Sequence, residues 1–331
     1  MYEFNNKTIL ITGATGLIAS HIVDKLIDQE NVKIIALSRS MEKLRNGFSE
    51  YRNNPNFSII AQDVSEPIII DEPVDYIFHA AGPMEGRVIR ERPMDVINPN
   101  INGLINCLEI LRKQKNDLGV SGRIVLFSSV TVYGNITDEN ITVSEEFTRI
   151  TENLDSISAP YSQSKRMIEV IALAYARQYG IDVVIPRFAT VYGATRFIPD
   201  TAFFEFIKKG ISGEDIILNC TNLPKRDNIY IDDAVDAVLT VAAKGKNMEA
   251  YNISSNGDLG NYASIDEIAG IVAELVKVYY RKDVKVRFKN ESNSSRKPGY
   301  KMKNEKLKGL GWEIKVSLVE GIRKTIDFMI R

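Results

Sequence analysis

Short apolar runs alternate with helical periodicity along the first 190 or so residues. Lys7-Thr8-Ile9-Leu10-Ile11-Thr12 reads as a β-strand, and Gly13-Ala14-Thr15-Gly16 breaks it. Leu17, Ile18, Ile22, Val23, Leu26 and Ile27 then recur at helical spacing. Further strand-like runs are Val32–Leu37, Phe57–Ala61, Val74–Phe78, Arg123–Phe127 and Ile181–Ile185. Long helical stretches are predicted over about 94–114 and 159–179. Apolar strands alternating with helices indicate a parallel sheet covered on both faces.

Six such strands in about 185 residues fit an α/β, Rossmann-type doubly wound parallel sheet, whose ligands bind beyond the carboxyl ends of the strands. After Arg187 the pattern shifts to turn-rich segments and shorter helices. The predicted division is a dinucleotide-binding domain over 1–187, rejoined by 227–254 through Tyr251-Asn252-Ile253-Ser254, and a smaller substrate-binding cap over most of 188–331. Thr-Val-Tyr-Gly occurs at 131–134 and again at 190–193, which reads as two similar strand exits.

Composition narrows the chemistry. In 331 residues, 42 Lys+Arg balance 43 Asp+Glu for a net charge of −1. This gives no global field for nucleic acid or an acidic membrane surface. No apolar run approaches the ~18 residues of a membrane span, and the N-terminus has no signal-peptide pattern. Two cysteines, Cys107 and Cys220, build no disulfide framework, so reduced thiols and a cytoplasmic address are expected. Two histidines, His21 and His79, are too few for a His-based zinc site, and no metal is expected. The absence of GxSxG argues against a serine hydrolase.

Gly13-Ala14-Thr15-Gly16-Leu17-Ile18-Ala19 has the form GxxGxxA between a strand and a helix. Glycine permits the tight turn, and the free N–H groups of the helix start attract a pyrophosphate. At the end of the second strand, Ser38-Arg39-Ser40 stands where an acid would receive the ribose 2′-OH of NAD. Arg39 with the two serines suits a 2′-phosphate, which favours NADP over NAD. After the third strand, Asp63 could accept from the adenine amino group and Val64 could cover the ring.

Tyr161 and Lys165, four apart in a helical stretch, stack on one face. A free tyrosine is a poor base at neutral pH, but a neighbouring ammonium and a nicotinamide ring would lower its pKa. Ser129, at the end of the fifth strand, could bond the same substrate oxygen.

These pieces, in this order, resemble an extended short-chain dehydrogenase/reductase of the NAD-dependent epimerase/dehydratase family, which acts on nucleotide sugars. The similarity runs through the 13–19 turn, His79-Ala80-Ala81-Gly82, Asn100-Ile101-Asn102-Gly103, Ser128-Ser129 and Tyr161-xxx-Lys165. It continues through Pro186–Gly193, Arg226–Asp233, Tyr251-Asn252-Ile253 and Leu310-Gly311-Trp312.

The resemblance implies that Tyr161 is the general base or acid on the sugar hydroxyl. Lys165 lowers its pKa and holds the nicotinamide ribose, and Ser129 fixes the reacting oxygen. Gly13, Thr15, Gly16, Leu17, Ile18, Ala80, Ala81, Gly82, Asn100 and Phe188 would line the cofactor. Thr190, where the family often has Asn, lies near the nicotinamide or substrate. Met84, Ser129, Thr131, Thr190 and Arg226 would face the substrate, Arg226 pairing with the nucleotide diphosphate. A homodimer is implied through the 94–114 and 159–179 helices, with Leu104, Leu108, Ile168 and Ala172 as compatible apolar positions.

The stretch from His79 to Gly103 is also similar to the decarboxylase branch that makes UDP-xylose. In 4,6-dehydratases the catalytic Ser/Thr is followed by Asp-Glu, and decarboxylases usually keep a Glu there. Here those positions are Val130 and Thr131, which do no acid–base work. The expectation is therefore redox chemistry at C4 of a nucleoside-diphosphate sugar, by a 4-epimerase or a 4-ketosugar reductase. A dehydratase or decarboxylase drawing on Glu145 or Glu146 is the alternative within the class, and a non-catalytic NAD(P)-binding sensor the alternative outside it. The choice of base and sugar is expected to lie in 194–226 and 255–300.

Overall fold

A computed structural model describes residues 4–134, 136, 141–148, 152–290 and 299–330. Residues 1–3 of the expected leaderless N-terminus, and 291–298 of the stretch expected to choose the sugar, lie outside the described residues. Strand β1 (Thr8–Thr12) leads through the glycine turn into helix α1 (Leu17–Leu26) and strand β2 (Lys33–Ser38). Strands β3 (Phe57–Ala61) and β4 (Tyr76–His79) follow, then helix α2 (Met94–Leu118), strand β5 (Arg123–Leu126), helix α3 (Ala159–Tyr179) and strand β6 (Asp182–Phe188). After a long excursion, helix α4 (Ile231–Lys244) and strand β7 (Glu249–Ile253) return.

The strands lie in the order 3-2-1-4-5-6-7, all parallel, and β7 pairs in register with β6. The order reverses between β1 and β4. Doubly wound sheets hold their ligands at such a reversal, in the crevice between the diverging loops.

Residues of β1 alternate between two cores. Ile9 and Ile11 join the α1/α4 side, with Val23, Ala234 and Val238. Leu10 joins the α2/α3 side, with Leu104, Leu108, Ile168 and Ala172. Those last four are fully buried against the sheet, so they are not spare positions for a partner. The large apolar side chains that α2 and α3 expose are Met94, Leu118, Met167, Val170 and Tyr179.

The cap is threaded onto the same core. Strand Arg226–Tyr230 lies between Thr190–Tyr192, parallel, and Tyr262–Ala263, antiparallel. Ile216–Cys220 pairs with Val286–Asn290. Helix Ile265–Tyr280 starts at a capping box in which Ser264 and Glu267 exchange side-chain and backbone hydrogen bonds. Phe203, Phe204, Ile207 and Val272 continue the α1/α4 core, so sheet and cap share one apolar interior. The two Thr-Val-Tyr-Gly strings differ locally: 131–133 form a 3₁₀ turn after Ser128–Ser129, and 190–192 form a strand.

Candidate active site

The glycine turn is fixed by close approach. Gly13 has φ +66°, and a Cβ there would lie 2.8 Å from the backbone of Ala81 at the exit of β4. Only glycine accepts both demands. The N–H of Gly16 donates to Gly13 O (2.8 Å) and that of Ala14 to Leu37 O (3.0 Å). Helix α1 then begins with no side-chain cap and no acid in its first turn, leaving its amide end to an anion.

On the ribose side, Thr15 Oγ1 bonds Ser38 Oγ at 2.8 Å. Arg39 is exposed and, among the described residues, makes no ion pair. Ser40 Oγ accepts from Lys43 N–H (3.2 Å), capping the helix Met41–Gly47. A cavity of about 530 Å³ opens here, lined by Ser40, Glu42, Lys43, Asn46, Arg196 and Phe197. Asp63 accepts from Ser65 N–H (2.9 Å). The Val64 side chain turns into the α2 side of the core, where a Cβ on Gly103 would lie 2.7 Å from it.

The exit of β4 is tied down beneath the crevice. His79 is fully enclosed, with Nδ1 3.0 Å from Thr12 Oγ1. Burial, and next the Lys165 charge, push its pKa down to about 3, so the ring is neutral. Asn100 Nδ2 donates to Ser164 Oγ (2.8 Å). Asn100 Oδ1 is buried without a partner, and a Cβ on Gly82 would lie 2.6 Å from it.

Helix α3 carries the reacting groups. Tyr161 and Lys165 are both nearly buried, at 8% and 6% exposure, on the face turned to the ends of β5 and β6. Lys165 Nζ donates to Phe127 O (2.9 Å) and lies 5.8 Å from the Tyr161 ring centroid. Burial pushes the Lys165 pKa down to about 8, against the nearby Glu169 carboxylate, which holds it up. Burial also raises the Tyr161 phenol, and the Ser129 hydroxyl beside it opposes the rise. Desolvation outweighs the Ser129 hydrogen bond, so the phenol stands above its ordinary value rather than below it. Ser129 Oγ also accepts from Thr131 N–H (3.2 Å).

Phe188 packs on Phe127, ring centroids 4.9 Å apart, behind the site. Thr190 and Arg226 are exposed on adjoining cap strands, and Met84 is exposed beyond β4. Thr131 Oγ1 is buried without a partner. Glu145 Oε1 accepts from Asn252 N–H (2.8 Å), so that carboxylate is committed to the framework. Sequence reasoning left Ser128, Glu169, Arg187 and Tyr133 without roles, although they form a buried polar cluster against α3. The signal was Glu169, which continues the four-residue spacing of Tyr161 and Lys165.

Residues 9–254 match the NAD dependent epimerase/dehydratase family. The chain belongs to this family. It is 29% identical to UDP-glucuronic acid decarboxylase 6 of Arabidopsis thaliana, over 96% of this chain and 87% of that protein. It is 28% identical to the dTDP-D-glucose 4,6-dehydratase of Bos taurus, over 97% of this chain and 88% of that one. The UDP-glucose 4-epimerase of Thermotoga maritima, solved with UDP-glucose, superposes with a TM-score of 0.78 at 26% identity over 98% of each chain.

The site fits the dinucleotide that the family uses. The helix after the Gly13 turn starts without a side-chain cap, which leaves its amide end to a pyrophosphate, and Asn100 Oδ1 is buried without a partner beside Gly82, where a Cβ would lie 2.6 Å from it. Among the described residues no cluster of His, Cys, Asp or Glu could hold a metal ion, and no helix is long and apolar enough to cross a membrane.

Proposed function

We propose that this chain performs redox chemistry at C4 of a nucleoside-diphosphate sugar, as a 4-epimerase or a 4-ketosugar reductase. The observation that carries this reading is the convergence of Ser129, Tyr161 and Lys165 at the strand ends, beside Val130 and Thr131. Tyr161 Oη exchanges the proton of the sugar 4-hydroxyl. Ser129 Oγ bonds the same oxygen and keeps it within reach of the phenol. Lys165, anchored on Phe127 O, supplies the positive charge that favours a phenolate. A bound nicotinamide supplies the hydride acceptor or donor. Burial of Tyr161 and Lys165 keeps bulk water from the exchanging proton.

Gly13, Thr15, Gly16, Leu17 and Ile18 hold the pyrophosphate. Ala80, Ala81, Gly82, Asn100, Phe188 and Lys165 flank the nicotinamide half, and Asp63 the adenine. Ser38, Arg39 and Ser40 take a 2′-phosphate, and the unpaired Arg39 guanidinium is what supports NADP over NAD. Met84, Thr131, Thr190 and Arg226 face the sugar nucleotide. Elimination of water or carbon dioxide would need an acid at 130 or 131, and the commitment of Glu145 to Asn252 removes one substitute. The chain pairs with a second copy through the exposed faces of α2 and α3. Its free cysteines suit a reducing cytoplasm.

Cofactor stoichiometry tests the reading. A 4-epimerase turns over many sugars per bound dinucleotide, whereas a 4-ketoreductase consumes one NADPH per 4-keto sugar. Sugar turnover with neither dependence would overturn both. Replacing Arg39 with Ala should weaken NADP binding about tenfold and leave NAD binding unchanged, as loss of one charge-assisted contact predicts.

A further inference from the structure

Three successive residues at the exit of β5 are gripped by three side chains of α3. Lys165 Nζ bonds Phe127 O at 2.9 Å, Glu169 accepts from Ser128 Oγ, and Tyr161 faces Ser129. The helical residues are four apart, so they lie one above another on one face. Ser128 and Ser129 pair in register with Arg187 and Phe188 of β6, so the sheet holds the backbone on one side and α3 grips it on the other. Anchoring Ser128 on Glu169 therefore fixes the backbone from which the neighbouring Ser129 reaches Tyr161.

Glu169 is 8% exposed, and a carboxylate so placed needs neutralising. Arg187 does this with a two-pronged contact: Nε to Oε1 at 2.9 Å and Nη2 to Oε2 at 2.7 Å. Arg187 is in turn held over the Tyr133 ring (5.1 Å), with Nη1 bonding Tyr133 OH (3.0 Å) and Glu145 O (3.1 Å). Tyr133 OH donates to Asn252 Oδ1 at 2.6 Å, which ties the cluster to β7. The other titratable groups around Lys165 are Tyr161 on its own helix and His79 on β4, which is neutral. Among the described residues, Glu169 is the anion that bears on the Lys165 charge.

We propose that Glu169, neutralised and oriented by Arg187, is a positioning residue of the reaction: it directs Ser129 through Ser128 and keeps the Lys165 side chain an ammonium. The inference rests on the assignment of Ser129, Tyr161 and Lys165 as the reacting set. Arg187 limits how strongly Glu169 acts, because the same guanidinium that makes its burial tolerable also screens its charge.

The test is acetylation of the full-length protein with acetic anhydride from pH 6 to 10, read at Lys165 by mass spectrometry. In Glu169→Gln the half-reaction pH at Lys165 should fall by about one unit, equivalent to about fivefold more neutral amine near pH 7. Glu169→Asp, which keeps the carboxylate, should stay close to the unaltered protein. The double variant Glu169→Gln/Arg187→Met removes the charge pair together and should show a smaller fall than Glu169→Gln, which leaves the guanidinium uncompensated. NAD titration and circular dichroism establish folding for each variant. A Lys165 curve that does not move in a folded Glu169→Gln protein overturns the proposal. So does collapse of both the single and the double variant, which would make Glu169 purely structural. Failure of the unaltered protein to bind NAD or NADP would instead overturn the catalytic reading, whatever the Lys165 curve does.

Discussion

At the scale of single residues, the Tyr161 phenol sits where burial works against its ionisation, so its neighbours decide whether it can exchange a proton. Tyr161→Phe keeps the ring and removes the Oη. Turnover should fall by roughly 10²–10⁴-fold, the usual worth of a general acid–base group, with dinucleotide affinity kept. Steady-state rates and a fluorescence titration check the two halves. Lys165 has a definite pH signature. Its pKa is pushed down to about 8, so the ammonium is intact below that pH and lost as pH rises through it. Activity that needs this charge should decline above about pH 8, which a pH–rate profile measures. That Tyr161, Lys165 and Ser129 come together was legible because the chemistry proposed for them needs those types at those spacings. The sign of the Tyr161 shift was not, because desolvation depends on which elements close over the ring. Val64 shows the same limit: its position after β3 was readable, but the direction of its side chain was not.

Among elements, the glycine turn and α3 carry most of the account. Gly13→Ala combines a left-handed φ with a 2.8 Å approach to Ala81. It should cost at least about 1–3 kcal/mol, from strain at that backbone position, and weaken dinucleotide binding. Urea unfolding and NAD titration test it. The bounds of α2 and α3 were readable from periodicity, yet which apolar positions faced outward was misjudged. A helix pattern gives one apolar stripe, and Leu104, Leu108, Ile168 and Ala172 are that stripe, spent on the sheet. Met167 and Val170 of α3 lie outside it, 47% and 60% exposed. Introducing glutamate at both positions should convert a dimer to a monomer in analytical ultracentrifugation while leaving the thermal midpoint of the subunit nearly unchanged. An unaltered sedimentation coefficient would contradict pairing through this face.

At the scale of the molecule, the cap shares the apolar interior of the sheet and adds a polar clamp that no local pattern announces. Arg196 pairs with Asp24 (2.8 Å) and Glu50, and Phe197 rests on Phe48 with centroids 5.6 Å apart and abuts Gly47. The alternating strands of the first half were legible from sequence because parallel sheets are buried on both faces. The cap was not, because its short strands and helices are defined by what they meet. A global pH effect follows from His79. Its folded pKa is about 3 against an ordinary 6.5, so between those values the unfolded chain binds a proton that the native protein does not. This contribution to stability is complete above pH 6.5 and is lost as pH falls toward 3. Urea midpoints from pH 7 to 4 should fall for the native sequence, and less steeply for His79→Gln.

Proton NMR of sugar nucleotides incubated with this protein tests the central claim most directly. The panel is UDP-glucose, UDP-galactose, UDP-glucuronate and a dTDP-4-keto-6-deoxy sugar, each with NAD or NADPH. One of them should change configuration or oxidation state at C4 alone, and Tyr161→Phe should abolish the change. Product that has lost water or carbon dioxide, or an undiminished C4 change in Tyr161→Phe, would contradict that claim.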